Sequence, residues 1–243
     1  MKALIFNSGR GTRMGAFTRR HPKALAVIGD ETIFARQLRQ LGDAGITDVV
    51  VTTGPFADQL EATARQPQFD GLDVTFVPNP HYATTNYITS FWIARALLND
   101  DVLLLHGDIV FTERYLRNML ADPRPDLVAV GGAADSGKDF KARIEGGVVR
   151  EISVTLTGQN VHALQPMYKL SRRAIGVWLE SVGRFVAQGL VDVYAEDALN
   201  DVADAAGINA LPYAGELVAE VDDPADQASV TAALGALEPL RRG

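Results

Sequence analysis

The segment NSGRGTRMGAFTRRHPKAL, residues 7–25, gathers five Lys/Arg side chains (Arg10, Arg13, Arg19, Arg20 and Lys23) with one histidine and no acid. Three glycines, Gly9, Gly11 and Gly15, are spaced among them. Glycine accepts positive φ and lets the backbone approach a ligand closely. Consecutive N–H groups in such a turn can cradle phosphate oxygens. Arg13 adds a planar fork of donors and Lys23 a point charge. The combination suits a polyphosphate. The spacing is not that of a Walker loop, and GRGTRM lacks the third glycine of a dinucleotide fingerprint.

Carboxylates and aromatics supply a second set of candidates. Asp108 ends the apolar run DVLLLHGD, where an unpaired carboxylate would be costly. Asp222 follows a shorter apolar run in LVAEVDD. Mg²⁺ takes one or two protein carboxylates together with phosphate oxygens and water, so Asp108 and Asp222 could hold it. Each also has a structural reading: Asp108 as a helix cap, and Asp222–Asp223–Pro224 as the start of the last helix. Asn86 and Ser90 are four apart and share one helix face, whereas Phe91 and Trp92 read as core. Lys138, Phe140 and Lys141, with Tyr168 and Tyr194 opposite and Glu196 and Asp197 nearby, could surround an ammonium group, because aromatic faces and acids hold such cations. Glu196 and Asp197 fit a helix N-terminus equally well. The four histidines show no ligand spacing, so a zinc site is not expected. His106 suits either the cleft or the core.

An alternation of strands and helices must position these groups. KALIF, TDVVVTTG, DVTFVPNP, DVLLLHGD and DLVAVGG read as strands buried on both faces. Between them lie the helical patterns TIFARQLRQLGDAG, PFADQLEATARQ with Pro55 in its first turn, and TTNYITSFWIARALLND with Thr84 or Thr85 as N-cap. Short strand–helix–strand links imply an α/β fold with a doubly wound, mostly parallel sheet whose ligands bind beyond the carboxyl ends of the strands. From about residue 133 the pattern changes. A loop precedes a hairpin turning at Gly146–Gly147, expected as a small lid. HALQPMYKL is a further strand, SRRAIGVWLESVGRFVAQG and AEDALNDVADAAG are helices, INALPYAG and LVAEVDD are strands, and PADQASVTAALGALEPL is a last helix. One domain over 1–243 is expected, with a nucleotide-binding part at 1–132, a lid and acceptor part at 133–170, and helices with the second metal carboxylates at 171–243.

Composition narrows the classes. The 243 residues carry net charge −7, yet residues 1–29 hold six of the 23 Lys/Arg and none of the 30 Asp/Glu. That asymmetry argues for a local anion site and against a nucleic-acid surface, which spreads basic residues along a face. There is no cysteine, hence no disulfide framework or thiolate chemistry. No apolar run approaches the roughly 20 residues that span a bilayer, and MKALIFNSG is too short for a secretory signal. A cytoplasmic protein without membrane contact is expected. The oligomeric state is not legible.

SGRGTRM followed by Pro22–Lys23 resembles the G-x-G-[TS]-R…P-K signature of nucleotidyltransferases, which join a nucleoside monophosphate to a sugar phosphate or a small phospho-alcohol. That family usually reads Ala-Ala-Gly where this chain has Asn7-Ser8-Gly9. NPHYATTNYITSFWIARALL is similar to the Asn-Pro…Asn-x-x-Ser helix of bacterial CTP:phosphocholine cytidylyltransferases. LLLHGDIVF resembles their strand ending in a metal-binding aspartate, here Asp108. AEVDDPAD resembles their Glu-x-Asp stretch, with Glu220 and Asp222. The resemblance spans most of the chain and is strongest over 1–112. It implies a Rossmann-like nucleotidyltransferase fold. Asn7, Ser8, Gly9, Gly11, Thr12, Asn86 and Ser90 would bind the nucleotide, Arg13 and Lys23 would be catalytic, and Asp108, Asp222 and Glu220 would hold Mg²⁺. Phe140, Lys141, Tyr168, Tyr194, Glu196 and Asp197 would bind the acceptor.

The implied reaction is Mg²⁺-dependent transfer of a nucleotidyl group, with CTP as donor, to a phosphocholine- or 2-aminoethylphosphonate-type acceptor. A sugar-1-phosphate nucleotidyltransferase is the main rival, although it usually carries a longer substrate region. A non-catalytic nucleotide-binding regulatory protein would lack the metal carboxylates. A nucleotide-sugar glycosyltransferase would carry Asp-x-Asp at the fourth strand end, where this chain has HGDIV.

Overall fold

The computed structural model describes residues 1–133 and 139–237, so Lys138 lies outside the described residues. β1 (Lys2–Asn7) runs into the glycine-rich segment, which folds into short 3-10 turns at Thr12–Met14, Phe17–Arg19 and Lys23–Leu25. A ribbon of β2 (Val27–Ile28) and β3 (Glu31–Thr32) leads into α1 (Ile33–Asp43). Thr32 caps that helix by accepting from the Ala35 amide. β4 (Asp48–Thr53), α2 (Ala57–Ala64), β5 (Asp73–Pro78), α3 (Tyr87–Ala94) and β6 (Val102–His106) continue the alternation. β7 (Ile109–Phe111), α4 (Glu113–Ala121) and β8 (Leu127–Ala133) follow. The hairpin of β9 (Lys141–Glu145) and β10 (Val148–Ser153) comes next, then the long β11 (Val161–Leu170) and α5 (Arg172–Ala187). α6 (Ala195–Asn200), α7 (Ala203–Ala206), β12 (Asn209–Pro212), β13 (Val218–Glu220) and α8 (Pro224–Leu237) complete the described chain.

Nine strands form one sheet in the order β5-β4-β1-β6-β11-β8-β12-β10-β9. Successive side chains alternate across it. Leu4, Phe6, Val50 and Leu104 face α3 and α5, while Ala3, Ile5, Val49, Val51 and Leu105 face α1 and α4. Both faces are therefore covered, as a doubly wound sheet requires. Trp178 of α5 is fully buried and donates its indole N–H to the Ala195 carbonyl at 2.8 Å, tying α5 to the start of α6.

The parallel part is smaller than the alternation suggests. β5, β4, β1 and β6 are parallel, and β12 is parallel to β8. β11 enters antiparallel between β6 and β8. A strand buried on both faces carries the same apolar run in either direction, so its polarity is set by the connection and not by composition. The hairpin does turn at Gly146 and Gly147, both with positive φ, but it is hydrogen-bonded into the sheet and is not a separate flap. β10 pairs with β12, and β9 returns to pair with β11, so the strands from β11 to β9 close on one another.

Three local boundaries differ from the sequence reading. α3 is capped by Asn86, whose side chain accepts from the Tyr87 amide, and neither Thr84 nor Thr85 caps it. Pro55 precedes α2 because Phe56, at φ 62°, holds the cap position. β6 ends at His106, leaving Gly107–Asp108 as a turn into β7. No helix among the described residues is long and apolar enough to cross a membrane.

The carboxyl ends of β1, β4 and β6 meet closely. A Cβ added at Gly54 would overlap the Ser8 carbonyl, a backbone atom that cannot swing aside. Gly54→Ala is therefore expected to destabilise the protein by about 1–3 kcal/mol, read as a lower urea midpoint with unchanged m-value.

Candidate active site

The glycine-rich loop is folded over Lys23. Gly11 has φ 58°, and a Cβ there would lie 3.0 Å from the Lys23 Cβ. The Thr18 hydroxyl donates to the Gly11 carbonyl at 3.0 Å and holds the bend. Pro22 is extended and feeds Lys23 into a 3-10 turn, so the ammonium reaches inward. Lys23 Nζ pairs with Asp108 Oδ2 and lies 2.7 Å from Asp222 Oδ1. Arg13 Nη2 reaches the same Asp222 oxygen at 2.8 Å. Arg13 is half exposed while Asp222 is buried, so the fork enters from the solvent side.

Asp108 and Asp222 arrive from different elements. Asp108 sits on the β6–β7 turn, and the Asp108 carbonyl accepts from the Val221 amide at 3.0 Å. β13 pairs antiparallel with β7, which brings Glu220 and Asp222 beside that turn. The choice between cap and site is divided between neighbours. Asp223 caps α8, accepting from the Ala225 and Asp226 amides at 2.9 and 3.0 Å, and Asp222 is left for Lys23 and Arg13. Gln37 of α1, buried, donates to both the His106 and Ile109 carbonyls at 2.9 Å. It clamps the turn on either side of Asp108. No sequence signal pointed to it beyond a polar residue on the apolar face of α1.

His106 Nδ1 lies 3.4 Å from Glu220 Oε1. Ligand atoms of His106, Asp108 and Glu220 all fall within 4.8 Å of one another. Asp108 Oδ1 and His106 Nε2 are buried without a hydrogen-bond partner. A carboxylate oxygen with nothing to accept from, beside a second carboxylate, fits a hard divalent cation. Asp108 and Glu220 would hold it, with Asp222 adjoining.

The charges set one another. Burial disfavours the Lys23 ammonium, but Asp108 and Asp222 outweigh it and hold its pKa above the ordinary lysine value. Burial likewise opposes ionised Asp108, and Lys23 and His106 hold that carboxyl below the usual range. Burial and the Asp108 charge push Glu220 upward, against the His106 contact. Burial opposes a charged His106, yet Glu220 raises its pKa.

The loop lines two adjoining cavities. One of about 250 Å³ is bounded by Asn7, Gly11, Arg13, Lys23, Asp108 and Asp222. The other, about 520 Å³, runs from Ser8, Gly9 and Thr12 to Asn86, Tyr87 and His106. Ser90 is buried behind it. Its hydroxyl meets the Ser8 hydroxyl at 2.7 Å and accepts from Asn79 Nδ2 at 2.9 Å, so Ser90 supports Ser8 from below the cavity wall.

The aromatic candidates gather partly. Ring centroids of Tyr87 and His106 lie 4.8 Å apart, those of Phe140 and Tyr194 4.9 Å, and those of Tyr87 and Tyr194 6.1 Å. Glu196 is buried at their base, accepting from the Tyr87 hydroxyl and, at 3.0 Å, from the Tyr168 hydroxyl. Tyr168 is fully buried and meets the group through its hydrogen bond to Glu196. Tyr87 and His106 join a set in which the sequence reading did not place them. Lys141 and Asp197 are elsewhere: Lys141 Nζ donates to the Val154 carbonyl at 3.0 Å, and the Asp197 carboxylate accepts from the Tyr194 amide, capping α6.

A family model described as the MobA-like NTP transferase domain matches residues 3–199. The chain belongs to this family. Among curated relatives of this NTP transferase domain, the CMP-5'-(3-aminopropyl)phosphonate synthase of Streptomyces rubellomurinus is 29% identical over 243 residues, covering 93% of this chain. The glucose-1-phosphate thymidylyltransferase of Streptomyces griseus is 25% identical over 236 residues, covering 87%. The chain spans 38% and 66% of those two relatives' lengths. The solved CTP:phosphocholine cytidylyltransferase of Streptococcus pneumoniae superposes with a TM-score of 0.82 at 20% identity, over 96% of this chain and 98% of that one. The fold is that of the nucleotidyltransferases.

The charge balance yields a pH test. Ionised Asp108 stabilises the fold while its folded pKa is depressed; that contribution is present above the unfolded value near 3.9 and is lost as pH falls through the folded value. In Lys23→Met, burial without the cation raises the same pKa, so the contribution reverses and stability falls as pH rises above about 4. In metal-free buffer the variant is expected to trail the wild type by about 3–5 kcal/mol at pH 7, and by clearly less at pH 4. Urea titrations at both pH values check this.

Proposed function

We propose that this domain is a Mg²⁺-dependent cytidylyltransferase that moves CMP from CTP to a small phosphate or phosphonate bearing an amine, releasing pyrophosphate. The observation that carries the reading is the Lys23–Asp108–Asp222–Arg13 cluster beneath the glycine-rich loop, with Tyr87 and His106 lining the adjoining cavity and Phe140, Tyr194 and Glu196 in contact with those two. In this reading an ionised acceptor oxygen attacks the α-phosphorus, and the bond to the bridging α–β oxygen breaks with its electron pair leaving in pyrophosphate. The acceptor is already anionic, so no general base is required. Catalysis is then positioning and charge neutralisation. The loop amides hold the phosphates, Arg13 meets the departing β and γ groups, and Lys23 faces the α-phosphorus. Mg²⁺ at Asp108 and Glu220, with Asp222 adjoining, would supply charge neutralisation at the phosphoryl oxygens.

The amine assignment rests on the aromatic faces around buried Glu196, an arrangement suited to an alkylammonium. The names of the phosphonate synthase and the phosphocholine enzyme support it, and Phe140 and Tyr194 would contact that end of the acceptor. The thymidylyltransferase relative supports a second reading, transfer to a sugar 1-phosphate.

Pyrophosphate release with Mg²⁺, measured for four NTPs against phosphocholine, 2-aminoethylphosphonate, glycerol phosphate, inositol phosphate and glucose 1-phosphate, separates the two. Release with CTP and an amine-bearing acceptor is expected; release with glucose 1-phosphate alone would move the domain to the second reading. Lys23→Ala, shown to be folded by its melting curve with Mg²⁺, is expected to lose about 10²–10³ in kcat. Asp108→Asn is expected to abolish activation by Mg²⁺, and a variant that still responded to Mg²⁺ would remove Asp108 from the metal site.

A further inference from the structure

Asn7 ends β1 and is nine-tenths buried, yet its side-chain Nδ2 has no hydrogen-bond partner. Such a donor is costly to leave unmade, so one that persists in a native structure calls for an explanation. Its orientation is constrained. Asn7 Oδ1 lies against Gly107, where an added Cβ would overlap it, so the amide is wedged between β1 and the turn carrying Asp108. The same side chain lines the 250 Å³ cavity with Lys23, Arg13, Asp108 and Asp222.

The two cations in that cavity are already paired. Lys23 is shared between Asp108 and Asp222, and Arg13 is held by Asp222. Both cations are drawn toward carboxylates, whereas the Asn7 Nδ2 has no protein partner to give up. Being neutral, the amide can meet a phosphoryl oxygen without altering the charge balance around Lys23.

We propose that the Asn7 side-chain amide is a catalytic hydrogen-bond donor to a nonbridging oxygen of the α-phosphoryl group; this rests on the nucleotidyl-transfer reading above. As the bond from the acceptor oxygen to phosphorus forms and the bridging α–β P–O bond breaks, no proton moves. The negative charge on the nonbridging oxygens is what the amide stabilises, and the electron pair of the broken bond leaves with pyrophosphate.

The test compares the wild type with Asn7→Ala and Asn7→Asp, using CTP, Mg²⁺ and the acceptor that the wild type turns over best. kcat, KM for CTP, the Mg²⁺ activation constant and the melting temperature are measured. Asn7→Ala is expected to lose about 10²-fold in kcat, the scale of one preorganised donor, with the Mg²⁺ constant and melting temperature unchanged. Asn7→Asp keeps the shape, removes the donor and adds repulsion, so its loss is expected to be at least as large. Wild-type kcat in either variant overturns the proposal. So does a loss that disappears at saturating Mg²⁺, which would mean that the amide serves the unpartnered Asp108 Oδ1. A silent wild type across every nucleotide and acceptor would overturn the reaction assignment and this proposal with it, whereas an active wild type with indifferent variants overturns the proposal alone.

Discussion

A buried ammonium shared by two carboxylates is the constraint around which this molecule is arranged. Lys23, Asp108 and Asp222 are each too buried to stand alone as charges. Together they satisfy one another, and in doing so they join the glycine-rich loop, the β6–β7 turn and the junction of β13 with α8. A buried ion pair is weak evidence for stability, because an apolar replacement often serves as well. Here the same three groups line a cavity bordered by the glycine-rich loop. They also leave one carboxylate oxygen unengaged.

Neutral polar side chains fix the charged ones. Gln37 and Gln40 reach from α1 to carbonyls at His106, Ile109 and Phe111 that flank or follow the Asp108 turn. The Ser8–Ser90–Asn79 chain does the same for the loop at the end of β1. These groups add no net charge, so they position the site without disturbing its electrostatics. The price is a helix whose inner face carries amides where leucines would pack.

The legible parts of the fold and site were those decided by local residue type. Gly11 and Gly15 with Arg13 and Lys23 announce an anion loop, and continuous apolar runs announce β1, β4 and β6. What stayed hidden depended on register and competition. In TTN, three adjacent residues can cap a helix, and Asn86 prevails in a setting where Tyr87 packs between Phe6 and His106. Asp222 and Asp223 are chemically alike, and only the path of β13 separates the carboxylate that meets Lys23 and Arg13 from the helix cap. Phe140 and Lys141 are neighbours that project to opposite sides of an extended chain, so one joins the aromatic group and the other meets a backbone carbonyl. The antiparallel entry of β11 had no compositional mark at all.

Lys23 and Asp222 are separated by 199 positions. Closing so long a loop costs little more than closing one of half its length, but contacts this distant form only after the intervening strands have paired. The site therefore cannot exist in a partly folded chain that has lost its C-terminal strand and helix, even if the parallel half of the sheet remains. Glu220 and Asp222 also lie beyond residue 199, where the family match ends. Chemical competence becomes a property of the completed tertiary structure, and it reports on the arrival of the last strand.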